Sequence, residues 1–133
     1  MKLFKKKEIF KVKSVPVDPT TMGEPATAEE FQRRGMAYYA RNQYEPAVDD
    51  LKQAIALDSS FTDGYYSLGM VYKAMDQKEE GVAAFQRVVD IVAEEATSGQ
   101  VAADMLRKLA LGHMNEMTQG DWNLEKEIWK HEK

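Results

Sequence analysis

From residue 28 to 95 the apolar side chains recur every three or four positions, in four runs separated by short polar stretches. That spacing is the period of a helix with one buried face. "FQRRGMAYYA" and "PAVDDLKQAIAL" flank the break "ARNQYEP", and "YYSLGMVYKA" and "VAAFQRVVDI" flank "AMDQKEE". Past Gly99 the pattern continues as "QVAADMLRKLALGHMNEM", a break at "TQGD", and "WNLEKEIWKHEK". The pattern therefore predicts an all-α chain of about six helices. Boundary residues agree. "TAEE" places Thr27 at an N-cap with Glu30 three residues on, a capping box. "SFTD" offers Ser60 and Asp63 in the same spacing, Pro46 suits a first helical turn, and "TSGQ" (97–100) can separate two helices.

The first four runs form a repeat at an offset of 34 residues. Gly35 falls on Gly69, Met36 on Met70, Gln43 on Gln77, and the large apolar positions correspond as Phe31/Tyr65, Tyr38/Tyr72 and Leu51/Phe85. The units read Phe31-x2-Arg34-Gly35-x2-Tyr38 with Ala47-x3-Leu51, and Tyr65-x2-Leu68-Gly69-x2-Tyr72 with Gly81-x3-Phe85. This pattern resembles the tetratricopeptide repeat family. The physics suits it: Gly35 and Gly69 remove a side chain where the first helix of a pair meets the second, and Ala47 and Gly81 do so from the other side. Three features depart from the family pattern. Arg34 stands where leucine is usual, and Ser59 and Ala93 replace the closing proline, so the second helix of repeat two is expected to run on through "VAEEA".

The resemblance implies a short right-handed superhelix of antiparallel helix pairs. An N-terminal arm and linker (1–27) precedes repeats at about 28–61 and 62–95 and a degenerate third pair at about 98–133. In the third pair Gly112 lies 43 residues after Gly69, nine beyond the period. It also implies a protein-binding concave groove lined by the first helix of each pair. By register the groove residues are Glu29, Gln32, Met36 and Tyr39, then Tyr66, Met70 and Lys73, while Tyr38 and Tyr72 point into the core. Gln32, Met36 and Met70 occupy positions where some members carry a lysine, asparagine and arginine clamp for a carboxylate, so that clamp is absent. A Met- and Tyr-rich surface suits an apolar or helical segment of another protein. The alternative is that the third pair covers Tyr66 and Met70 as ordinary core.

Composition narrows the function further. No segment has the run of about 20 apolar residues that spans a bilayer. With no cysteine, disulfides and thiolate metal sites are excluded, and cytoplasmic residence is the default expectation. His113 and His131 are the only histidines. His113 with Glu116 falls short of the three or four ligands of a metal site, and it reads as a partly exposed helical histidine. The acid pairs Asp49-Asp50, Glu79-Glu80 and Glu94-Glu95 read as solvated helix faces. No nucleophile or phosphate-loop motif is present, so neither an enzyme nor a cofactor is expected.

Charge singles out the arm. Residues 1–13 carry six lysines against Glu8, a balance of +5 in a chain whose net charge is −4. Such asymmetry marks an interaction tail. "SVPVDPTTMGEP" after it reads as an extended linker. Leu3, Phe4, Lys5, Lys6, Lys7, Ile9 and Phe10 are candidate second contacts. They have three destinations: the acidic body or a partner protein, an anionic membrane surface, or nucleic acid, which the acidic body disfavours. Trp122 and Trp129, seven apart, share one helix face. That face either packs on the preceding helix or forms an exposed patch for a partner or second copy. The sequence thus points to an adaptor or accessory subunit of a larger complex, with partner identity and oligomeric state open. Its alternatives are a membrane-recruited peripheral protein and a constitutive structural subunit.

Overall fold

The computed structural model describes residues 17–95 and 101–120. They form five α-helices: α1 (Ala28–Ala40), α2 (Tyr44–Leu57), α3 (Thr62–Ala74), α4 (Lys78–Glu95) and α5 (Val101–Gln119). There is no strand among the described residues. A 3-10 turn, Pro19–Thr21, precedes α1. The arm to residue 16, the "TSGQ" break, the sixth helix, Trp122 and Trp129 lie outside the described residues. The linker is not wholly extended: Asp18 caps the 3-10 turn through Thr20, and Pro19 is buried beside α1.

Each helix packs on its sequence neighbour, α1 on α2, α2 on α3, α3 on α4 and α4 on α5. The turn inside each pair is built the same way twice. Asn42 and Asp76, 34 residues apart, both adopt left-handed backbone, at φ 60° and 59°. Gln43 N–H donates to Tyr38 C=O at 2.9 Å, as Gln77 N–H does to Tyr72 C=O. Asn42 N–H donates to Tyr39 C=O and Asp76 N–H to Lys73 C=O, completing a Schellman motif in each repeat. The aligned Gln43/Gln77 pair is thus the exit of a helix cap.

At the helix starts the sequence expectations divide. Thr27 caps α1, its hydroxyl accepting from Glu30 N–H at 3.1 Å. Ser60 does not cap α3. Asp58 accepts from both its N–H and its hydroxyl, which holds it in the preceding turn, and Phe61 takes the N-cap position. With no proline to stop it, α4 continues to Glu95.

Two core clusters follow from the pairing. Ala47, Leu51 and Val71, all fully buried, centre the first, with Tyr38 and Tyr72 packed against it. Phe85, Val88, Val92, Ala110 and Met117 form the second, which joins α4 to α5. The repeat glycines sit where helices approach most closely. A Cβ on Gly35 would lie 3.0 Å from Leu51 Cγ, and one on Gly69 would lie 2.6–2.7 Å from three ring atoms of Phe85. Gly81 differs from expectation: its Cβ would first meet the methyl end of Met117 on α5, so this glycine makes room for α5.

Candidate functional site

The sequence-predicted groove residues occupy one face of α1 and the neighbouring face of α3. Gln32 reaches across, donating to Ser67 Oγ at 3.1 Å. Met36 and Tyr39 are half-buried, and the Tyr39 ring lies 6.0 Å from Tyr44. Glu29 is exposed. Met70 and Tyr66 are half-buried against the second core cluster. The α4–α5 cluster therefore takes part of their surface and leaves part accessible.

Helix α5 supplies what the sequence reading did not assign. His113, 8% exposed, is buried rather than partly exposed. Its ring stacks on Phe85 at 4.9 Å and 11° and meets Tyr66 edge-on at 5.6 Å. Its Nε2 is 2.9 Å from the Tyr66 hydroxyl, and its Nδ1 is 3.0 Å from Lys73 Nζ. The Lys73 ammonium also pairs with Glu116 at 2.9 Å. Burial, reinforced by the Lys73 charge and opposed by Glu116, pushes the His113 imidazole below its ordinary value of 6.5. Burial likewise raises the Tyr66 phenol above 10.0.

A signal for these residues was present in the chain. Setting Gly112 on Gly69, at the offset of 43, puts Leu109 at the register of Tyr66, His113 at Met70 and Glu116 at Lys73. Leu109 (38% exposed) and Met105 (60% exposed) precede His113 by four and eight residues, so they continue its stripe along α5. By register, Leu109 on α5 thus stands where Tyr66 does on α3 and Gln32 does on α1.

Behind that face lies a second charge arrangement the sequence concealed. Arg34, the departure from the family pattern, donates through Nε and one terminal nitrogen to both carboxylate oxygens of Asp50, each at 2.8 Å. Asp50 is buried, unlike its exposed neighbour Asp49, so the solvated-face reading is corrected here. The fork-to-fork geometry is the strong form of an arginine–carboxylate contact. It also raises the Arg34 guanidinium above its ordinary value, burial acting against it.

Comparison with known proteins supports the repeat fold. Residues 35–76 match the family described as "TPR repeat", and residues 62–91 match "Tetratricopeptide repeat". The Small glutamine-rich tetratricopeptide repeat-containing protein 2 of Saccharomyces cerevisiae is 34% identical over 73 residues, 55% of this chain and 21% of that protein. The protein of the same name from Mycosarcoma maydis is 33% identical over 61 residues, 46% of this chain and 17% of its own. The chain therefore spans about a fifth of the curated relatives it matches. Among solved structures, "Crystal structure of MamA" superposes with a TM-score of 0.51 at 29% identity, covering 80% of this chain and 62% of that one. The fold is the all-α superhelix of paired helices. Among the described residues no helix is long and apolar enough to cross a membrane.

Proposed function

We propose that this chain, a member of the tetratricopeptide repeat family, is a protein-interaction adaptor that holds an apolar or helical segment of another protein on the concave face of α1, α3 and α5. Stacked helix pairs create extended concave surfaces of this kind. The observation that carries the reading is the run of adaptable apolar side chains, Met36, Tyr39, Met70, Leu109 and Met105, across successive first helices. Methionine reshapes around a partner, and tyrosine adds area with a hydroxyl. Polar groups at the edges, Gln32, Lys73 and Glu116, set orientation rather than affinity. The basic residues 1–13 serve as a second contact with the same partner.

Photo-crosslinking tests this directly. A benzoylphenylalanine at Met36 should capture the partner, whereas one at the exposed Gln53 of α2 should not. Met36→Glu with Met70→Glu should weaken that partner by about a hundredfold, as two buried apolar contacts become desolvated charges. Full retention of the partner by the double variant, with helical content unchanged, refutes the groove.

A further inference from the structure

We propose that His113 is a proton-controlled latch: as the neutral imidazole it ties α5 to α3 through Lys73 and Tyr66, and a second proton on the ring releases that tie. This goes beyond the groove reading and stands without it.

The hydrogen-bond inventory decides the ring's state. An ammonium has donors only, so Nδ1, 3.0 Å from Lys73 Nζ, must accept. The ring proton is then on Nε2, which donates to the Tyr66 hydroxyl oxygen at 2.9 Å. Protonation would aim an Nδ1–H at the Lys73 ammonium, setting donor against donor and cation against cation. The charged ring would also stay stacked on the fully buried Phe85, away from water.

Among the described residues, the Lys73 charge opposes a second proton. From α3 it faces the Tyr66 phenol and Lys73; from α4, the uncharged Phe85 ring; on α5 itself, Glu116. Among the described residues Glu116 favours the imidazolium, and it is already bonded to Lys73. The lowered His113 value agrees with this geometry.

The sign follows. The released ring binds protons more readily than the latched one. The latch is therefore at full strength above about pH 6.5 and weakens as pH falls from there toward the latched ring's own, lower value. Because α5 carries Leu109 and Met105, its release would also remodel the third wall of the proposed groove.

Native-state hydrogen exchange on the full chain, from pH 7.5 to 5.5 and corrected for the intrinsic exchange rate, tests the latch. The opening constant of α5 amides relative to α2 amides should be flat above about pH 6.5. Below it, the ratio should rise by up to tenfold per pH unit. His113→Gln should abolish the rise. A flat wild-type profile, or the same rise in the variant, overturns the proposal. Should the variant not fold, ring-nitrogen NMR of the wild-type chain decides, with His131→Gln assigning the other histidine. A neutral Nε2–H tautomer titrating below 6.5 supports the latch; an Nδ1–H tautomer, or a midpoint at or above 6.5, overturns it.

Discussion

Replacing Gly35, Gly69 and Gly81 by alanine, one at a time, separates local helix preference from tertiary packing. In an exposed helix interior each change would stabilise by about 1 kcal/mol. At Gly69 the new methyl would stand 2.6–2.7 Å from three atoms of the Phe85 ring, roughly 0.8 Å inside ordinary carbon–carbon contact. Phe85 cannot yield cheaply. It is fully buried, with Tyr66 edge-on at 5.5 Å and His113 stacked at 4.9 Å. Overpacking of this kind costs about 1–3 kcal/mol. Taking the upper end and subtracting the preference leaves Gly69→Ala destabilised by roughly 1–2 kcal/mol. Gly35→Ala is milder, with Leu51 Cγ at 3.0 Å and the Ala47 carbonyl at 3.2 Å. Its two contributions nearly cancel. At Gly81 the obstacle is the far end of Met117, a side chain with three rotatable bonds, so the alanine should be neutral or stabilising by up to about 1 kcal/mol. Urea denaturation followed by far-UV circular dichroism should rank stability as Gly81→Ala at or above wild type, then Gly35→Ala, then Gly69→Ala. A Gly69→Ala chain as stable as wild type, or more so, would refute the predicted packing penalty.

Two further tests concern buried charge and the repeat turns. Arg34→Leu restores the residue usual in the family but strands the Asp50 carboxylate, whose side chain is 7% exposed, and should cost about 3–5 kcal/mol. Adding Asp50→Leu should recover most of that loss, and additive effects in the denaturation cycle would show that the two side chains act independently. At the second Schellman turn, Asp76→Gly should stabilise and Asp76→Ala destabilise by about 1 kcal/mol, because φ is 59° there. Equal melting temperatures for the two variants would contradict it.

Much of the architecture was legible because repeats advertise themselves. The offset that sets Gly35 on Gly69 also sets Asn42 on Asp76, and both pairs do the same structural work in each unit. Thr27 was readable as a cap because its partner, Glu30 N–H, is three residues away. Ser60 was not, because its N–H and hydroxyl both donate to Asp58 two residues back, which keeps it in the turn before α3. Of the proposed groove, the stripe on α1 and α3 could be placed by register. Its proposed continuation on α5 was obscured by nine extra residues, which shift α5 out of period until Gly112 is set on Gly69.

Local and periodic information therefore determined the helices, their pairing, the turns between them and which faces are apolar. These depend on contacts within a few residues or on a repeat of 34. Tertiary structure alone decided the fate of the polar residues on those faces. Asp50 lies beside an exposed aspartate in the chain, yet it is buried because Arg34, 16 residues earlier, reaches it with two bonds. His113 resembles a surface histidine in sequence, yet α5 docks it between Phe85, Tyr66 and Lys73, 28 to 47 residues away. Burying a polar group is tolerable only when partners meet it, and partners from distant elements come together only once the helices have packed.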